Sequence, residues 1–244
     1  CQAENKEGQD ASVCEWHGSI RTCECDGCKA KICLPAEGPL LATLMPFPIE
    51  IEERRNGRVA HISLLTIPPN NTLSRVLLKE FIETLYQASK NADVLLVSSA
   101  HPKFFCNGLD GALLVSSTAE ERRETILSMI QAALDLYAVP KPWIVEIAGH
   151  AMAGGAVIAA AADNRFMLAG SGRIGFSELA MGLPLPVCFT RMMHAIVQPT
   201  FVRSLLEGMA FKPDEALQMG LIDGIAESRE LLRAQSLKRA DQII

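Results

Sequence analysis

The sequence predicts an α/β fold in which at least part of the sheet is parallel, carried by a chain of 244 residues. Short apolar runs that suit buried strands alternate with longer stretches whose apolar residues recur at helical spacing. Apolar residues make up 49% of the chain, which is enough for one large packed core. We therefore expect one principal domain over residues 45–244 and an extension of different composition over residues 1–44.

The first half of the predicted domain opens with a β-hairpin. Its two strands, 48–53 and 58–66, flank Arg55-Asn-Gly57, and the Asn-Gly pair favours a tight turn. The elements expected next, from the period of their apolar residues, are a helix over 73–89, a strand over 94–98, a helix over 119–137 and a strand over 142–147.

The second half is predicted to be mainly helical. An Ala-rich helix over 153–162 is followed by strands near Phe166 and Ile174. Three helical stretches (186–196, 200–207 and 212–219), a loop over 220–224 and a final helix from about Ser228 complete the chain.

The charge pattern excludes some classes of partner. The net charge is −5 and no basic stripe is present, so a nucleic acid is not expected as the main partner. No apolar run reaches the roughly 18 residues that a membrane-spanning helix needs. The last residues, Asp241–Ile244, do not match a peroxisomal import signal.

The extension at 1–44 is rich in cysteine. Six of the eight cysteines lie within the first 33 residues. The pairs Cys14/His17 and Cys25/Cys28 have the spacing that lets two side chains of one tight turn bind a tetrahedral Zn²⁺. This spacing resembles the first ligand positions of a B-box zinc finger, without the later ones, and implies at most a single Cys3His site. The alternative is a disordered or disulfide-linked extension.

Two glycine-containing loops and one carboxylate could carry chemistry. Asn107-Gly-Leu-Asp110 follows a predicted strand, and 149–155 opens a predicted helix, so each offers free backbone N–H groups. Two such groups aimed at one point would form an oxyanion hole, although either loop alone also suits an ordinary strand-to-helix connection. Glu178 lies in an apolar run and is a candidate general base, or else a surface or helix-capping acid.

Other reactive side chains near these loops are expected to be structural. His150 is expected to pack or to bond to the backbone, and His101 is expected to belong to a loop. Cys106 has no histidine close to it in sequence, which disfavours a thiol nucleophile.

These motifs resemble those of the crotonase (enoyl-CoA hydratase/isomerase) superfamily, in order and in spacing, over about residues 48–230. The segments that carry the resemblance are 103–110, 149–163, 174–184 and 211–223. It implies a crotonase-like ββα superhelix core with helices around it. The C-terminal helical region would be shortened, because the chain stops at Ile244, before the family's last helices.

The resemblance also implies a site. Glu178 would be the catalytic base, and the backbone amides of Leu109 and Gly154 would hold the thioester oxygen. The implied substrate-binding positions are Lys103, Phe104, Phe105, Asn107, Gly108, Gly155 and Val157. Coenzyme A is expected as part of an acyl-CoA substrate, no cofactor is expected for catalysis, and a homotrimer or hexamer is the expected assembly.

One departure from the family pattern favours isomerisation. The family's hydratases use two glutamates; Val157 stands at the first position and Glu178 at the second. Hydration is served by two acid/base groups, whereas a 1,3-proton shift needs one. The resemblance therefore favours a Δ3,Δ2-enoyl-CoA isomerase, located in the peroxisome or the mitochondrion, with the peroxisome favoured. Decarboxylation on the same scaffold, and a module that binds acyl-CoA or a protein without turnover, are the alternatives.

Overall fold

The computed structural model describes residues 47–64, 70–111, 116–170, 172–178, 182–183 and 185–244. The cysteine-rich extension lies outside these ranges, so the zinc site at Cys14, His17, Cys25 and Cys28 stays a prediction. Within the described ranges, no helix combines the length and the apolar character needed to cross a membrane.

The main structural element is a six-stranded sheet. Its strands are β1 (Ile49–Glu53), β2 (Arg58–Leu64), β3 (Val94–Ser99), β5 (Trp143–Ile147), β7 (Asn164–Leu168) and β10 (Gly224–Ala226), side by side in that order. β1 pairs antiparallel with β2, which confirms the predicted hairpin, and every later pairing in this sheet is parallel.

A second sheet was not predicted, although the strand expected near Ile174 is one of its members. It consists of β4 (Phe104–Cys106), β6 (His150–Met152), β8 (Ile174–Gly175) and β9 (Ala210–Phe211). Strands of two or three residues are too short to show a period in the sequence, and their pairing joins segments far apart in the chain. The three-residue strand β10 was not predicted for the same reason. The sequence analysis placed residue 224 in a loop and assigned no element to residues 225 and 226.

The described helices agree with the predicted ones to within a few residues. They are α1 (Arg75–Ala88), α2 (Ala119–Tyr137), α3 (Gly154–Ala161), α4 (Val187–Ile196), α5 (Val202–Leu206), α6 (Pro213–Gln218) and α7 (Arg229–Ile243). α1 begins two residues later than predicted because the side chain of Ser74 accepts a hydrogen bond from Leu77 N and caps the helix there. Thr118 and Glu121 form a capping box at the start of α2.

Alternating residues of the large sheet pack against different helices. Leu95 and Val97 of β3 belong to the main core, which also contains buried residues of α1, α2 and α3. Val94 and Leu96 belong to a second cluster that includes Leu232 of α7. This alternation follows from the two-residue period of a strand, and it buries the large sheet on both faces.

Ion pairs fix α7 to the hairpin and to the centre of the large sheet. Arg54, just after β1, donates hydrogen bonds of 2.9 and 2.6 Å to the two carboxylate oxygens of Asp241. Arg233 Nε lies 2.9 Å from Glu146 Oε1 of β5. Burial raises the pKa of Glu146, and the charge of Arg233 partly opposes this shift. The last helix of the domain is therefore held to its first hairpin by charge as well as by apolar packing.

Candidate active site

The small sheet brings three loop segments to one place. β4 runs parallel to β6, with Cys106 opposite Ala151, and β6 runs parallel to β8, with Met152 opposite Gly175. The carboxyl ends of parallel strands meet at one edge of a sheet, which is where α/β proteins commonly place ligand sites. The loops that leave this edge carry Leu109, Gly154 and Glu178.

A cavity of about 290 Å³ lies at this edge. The residues that line it are Asn70, Thr72, Asn107, Leu109, Gly111, Thr125, Ile126, Met129, Met152, Ala153, Gly154, Ser177, Glu178, Leu183, Pro186 and Phe189. Its lining is largely apolar with a few polar groups, which is the usual composition of a small-molecule site.

Glu178 is the carboxylate of this cavity. It follows the buried Phe176, and its backbone carbonyl accepts a hydrogen bond of 2.9 Å from Leu183 N. Its Oε2 atom is buried and has no hydrogen-bond partner among the described residues. Burial raises the pKa of this carboxyl, because an ionised oxygen without a donor is poorly solvated there.

Among the described residues that line the cavity, Glu178 is the single titratable side chain. The sequence of the undescribed stretches within the domain (65–69, 112–115, 171, 179–181 and 184) contains no Asp, Glu, His, Lys, Cys or Tyr. Within residues 47–244, the cavity therefore offers one acid/base group, whose pKa is raised by its surroundings.

The two glycine-containing loops touch each other beside this carboxylate. A methyl group built on Gly108 would lie 2.5 Å from Gly154 N and 2.7 Å from Gly154 Cα. A methyl group built on Gly154 would lie 3.7 Å from Leu109 N. Only glycine allows backbones to approach this closely. The amides of Leu109 and Gly154 are thus neighbours, and both residues line the cavity.

Each of these amides follows a residue in the left-handed region. Gly108, before Leu109, has φ 71°, and Ala153, before Gly154, has φ 49°. Positive φ is uncommon for alanine, and such strain is concentrated at functional sites. Gly154 is also the first residue of α3, where N–H groups have no acceptor within the helix and the helix dipole favours negative charge. The arrangement suits an anionic oxygen.

Residues 54–244 match the family model described as "Enoyl-CoA hydratase/isomerase". The chain belongs to this family. A relative from Arabidopsis thaliana, "Enoyl-CoA delta isomerase 2, peroxisomal", is 32% identical over 146 residues, which cover 56% of this chain and 60% of that relative. "Probable enoyl-CoA hydratase EchA17" of Mycobacterium tuberculosis is 30% identical over 164 residues, which cover 66% and 62%. The chain thus spans about 60% of the length of these relatives.

The fold is that of the same family. The human mitochondrial delta3-delta2-enoyl-CoA isomerase superposes with a TM-score of 0.72 at 24% sequence identity, over 80% of this chain and 76% of that one. This likeness concerns the fold alone. It confirms the crotonase-like α/β architecture that the motifs predicted.

The structure places the sequence-predicted residues in three groups. Glu178, Leu109, Gly154 and Asn107 line the cavity. Four others do not line it and are buried beside it: Phe105, Gly108, Gly155 and Val157. Phe105 is 0% exposed and Val157 is 1% exposed, so both side chains pack in the hydrophobic core. Direct substrate contacts by these two side chains would need the core to open.

Lys103 and Phe104 form part of a separate cluster at the start of β4. Lys103 Nζ lies 5.3 Å from the centre of the Phe104 ring, which lies 5.5 Å from the ring of His150. Burial lowers the pKa of His150, and the nearby charges of Lys103 and Arg173 lower it further. None of these residues lines the cavity. His150 therefore packs against an aromatic ring, as predicted, and the coenzyme A contacts of Lys103 and Phe104 stay predictions.

Cys106 is also buried beside the site. Burial raises the pKa of its thiol to about 12, with a small opposing effect from the N–H of Gly108. A thiol with so high a pKa is almost fully protonated at neutral pH and is a poor nucleophile. The expectation that Cys106 is not a nucleophile agrees with this environment.

One wall of the cavity was not predicted from the sequence. α2 contributes Thr125, Ile126 and Met129, and the Met129 methyl would lie 2.9 Å from a methyl group built on Gly154. These residues lie within the helix predicted over 119–137, and no role in a site was predicted for them. The pattern of apolar residues shows which face of a helix is buried. It does not show whether that face packs against the hydrophobic core or lines a cavity.

Proposed function

We propose that the protein is a Δ3,Δ2-enoyl-CoA isomerase, which moves a proton from C2 to C4 of an unsaturated acyl-CoA. The observation that carries this proposal is Glu178: it is the single titratable side chain lining the cavity among the described residues. Its unpartnered oxygen and raised pKa make it a suitable base beside two backbone amides.

In the proposed reaction, Glu178 takes a proton from C2 of a 3-enoyl thioester. The electron pair spreads over C2, C4 and the thioester oxygen, and the amides of Leu109 and Gly154 donate hydrogen bonds to that oxygen. Each such donor is worth about 3–4 kcal/mol in the transition state. The protonated Glu178 then delivers the proton to C4, which leaves the double bond between C2 and C3 and restores the carboxylate.

The position of Val157 supports isomerisation over hydration. Adding water across a double bond calls for one group to deprotonate the water and another to protonate C2. Val157 stands where the family's hydratases have their first glutamate, and it is packed in the core. Decarboxylation of an acyl thioester on the same scaffold stays the alternative reaction.

The compartment and the assembly are proposed from the relatives. The Arabidopsis relative is named peroxisomal and the human structure mitochondrial, so we propose one of these compartments, with the peroxisome favoured. A homotrimer or hexamer stays an expectation from the family resemblance.

The proposed function is tested by offering the protein two substrates. With 3-hexenoyl-CoA we expect the absorbance of the conjugated 2-enoyl thioester to rise with time. With 2-hexenoyl-CoA we expect hydration at least about 100 times slower, because one of the two acid/base groups is missing. Absence of conversion of the first substrate, or hydration as fast as isomerisation, would contradict the proposal.

The raised pKa of Glu178 predicts a pH dependence. The base must be ionised, so kcat/KM for 3-hexenoyl-CoA is expected to fall as the pH decreases through the pKa of the free enzyme. Because burial raises that pKa, the midpoint of this fall is expected above 4.5, the ordinary value of a glutamate. A pH series of initial rates measures it, and a circular-dichroism spectrum recorded at each pH distinguishes this fall from unfolding. A midpoint at or below 4.5 would show that the carboxyl is solvated.

A further inference from the structure

Asn71 is a buried polar residue between β2 and α1. It is 2% exposed and has φ 53°. Within the described part of the chain, Asn71 and Ala153 are the two non-glycine residues with positive φ, and Ala153 directly precedes the Gly154 amide. Asparagine adopts this conformation more readily than most residues, but a left-handed residue persists only where its surroundings fix it.

The side chain of Asn71 is bonded to the strand that leads into the site. Its Nδ2 donates hydrogen bonds to Phe105 O at 2.6 Å and to Ser99 Oγ at 3.2 Å. Ser99 Oγ in turn donates to Phe104 O at 3.1 Å. One buried amide group therefore ties the segment before α1 to β3 and to β4, and loss of its donor would leave Phe105 O without this short, buried bond.

The backbone of the same segment determines the orientation of the Leu109 amide. Asn107 N donates to Asn71 O at 3.2 Å, and Leu73 N donates to Gly108 O at 2.7 Å. The carbonyl of Gly108 and the N–H of Leu109 belong to one planar trans peptide group, so they point in opposite directions. The hydrogen bond from Leu73 N holds that carbonyl in place. The Leu109 N–H lies in the same peptide plane and is therefore held pointing in the opposite direction, away from Leu73.

We propose that Asn71 is a positioning residue for the oxyanion hole. Its side chain fixes segment 71–73 against β4, and this segment holds the Gly108–Leu109 peptide group so that the Leu109 N–H points at the thioester oxygen. The inference rests on the proposed function, because it concerns the oxygen of the same substrate. It assigns a role in catalysis to a residue that does not line the cavity.

Two substitutions at position 71 separate the effect of losing the amide side chain from the effect of straining the backbone. Asn71→Gly keeps the left-handed backbone and removes the amide group; Asn71→Ala also imposes the cost of a left-handed alanine. Both variants are expected to lower kcat for 3-hexenoyl-CoA about 10- to 100-fold and to change KM less than about threefold. Asn71→Ala should also unfold at a lower temperature than Asn71→Gly. Asn71→Asp, which keeps the shape without the donor, serves if the smaller variants do not fold.

The affinities for two ligands show whether the lower kcat of the variants comes from a weaker contact with the oxyanion. The enolate of 3-ketohexanoyl-CoA places negative charge on the bound oxygens, whereas saturated hexanoyl-CoA does not. Asn71→Gly should weaken binding of the first about tenfold or more and of the second less than about threefold. Asn164→Ala, which removes the hydrogen bond from Arg239 far from the site, is the control and should retain kcat and both affinities.

The outcomes are distinct. An Asn71→Gly variant within twofold of wild type in kcat and in affinity for 3-ketohexanoyl-CoA would overturn the inference. Equal weakening of both ligands would also overturn it, since that is the result of a purely structural role. A wild-type protein that binds both ligands but does not isomerise 3-hexenoyl-CoA would refute the proposed function alone, because the ratio of the two affinities still measures the oxyanion contact. Failure of the wild type to bind either ligand would refute both.

Discussion

Glu178→Gln is expected to lower kcat for isomerisation of 3-hexenoyl-CoA by about 10³-fold, or about 4 kcal/mol in the barrier. The amide has nearly the same shape as the carboxylate but cannot accept the C2 proton. Among the described residues lining the cavity no second titratable group could replace it. Affinity for saturated hexanoyl-CoA, measured by calorimetry, should stay within about threefold of wild type, since the amides of Leu109 and Gly154 are unchanged.

Two further measurements sharpen this prediction. The midpoint of thermal unfolding of Glu178→Gln should be at or above that of wild type, because the substitution removes the charge of a carboxylate that has one buried oxygen without a hydrogen-bond partner among the described residues. Glu227→Gln, an identical change at an exposed position, is the control and should keep full turnover. If the Glu178 variant retained more than a tenth of the wild-type kcat, another base would have to carry the reaction.

Gly108→Ala is expected to lower kcat about 100-fold. The new methyl group would lie 2.5 Å from Gly154 N, and the backbone at this position has φ 71°. Because Gly154 N is one of the two proposed donors and Leu109 N follows residue 108 directly, the clash would displace both N–H groups. Loss of one oxyanion donor typically costs 10²- to 10³-fold in kcat. Initial rates and affinity for 3-ketohexanoyl-CoA would report the loss.

Gly170→Ala is the matched control for this variant. Gly170 has φ 68°, nearly the same as Gly108, but a methyl group built on it meets no atom within 4 Å. It should therefore lose about 1 kcal/mol of stability from the left-handed alanine and keep wild-type turnover. Equal activity of the two alanine variants would mean that the close approach of the two loops has no part in catalysis.

Most elements of the large sheet could be predicted from the sequence because they are long enough to show a period, whereas the three-residue strand β10 could not. The hairpin at Arg55-Asn-Gly57, the buried strand β3 and the helices α1 and α2 all appear within a few residues of their predicted bounds. Beyond the strand expected near Ile174, the small sheet could not be predicted, because its strands have two or three residues and are defined by pairing between separate segments, such as Phe104 with His150. This small sheet is the element that brings the site together.

The site was predicted where a residue type has a chemical or conformational reason to stand out. Glu178 is a carboxylate in an apolar run, and Gly108 and Gly154 permit close backbone approach. Asn71 and the α2 wall do not stand out in this way: a turn asparagine and an apolar helix position are common. The substrate-binding roles of Phe105 and Val157 were implied by the family resemblance and stay predictions; the sequence did not show that both side chains are buried in the core.

The ion pairs at α7 have a consequence for the domain as a whole. Arg54 and Asp241 are separated by 187 positions, yet they join the hairpin that begins the described fold to the helix that ends it. Arg233 and Glu146 add a second link from that helix to the middle of the large sheet. We therefore expect local unfolding of the hairpin to be coupled to local unfolding of α7.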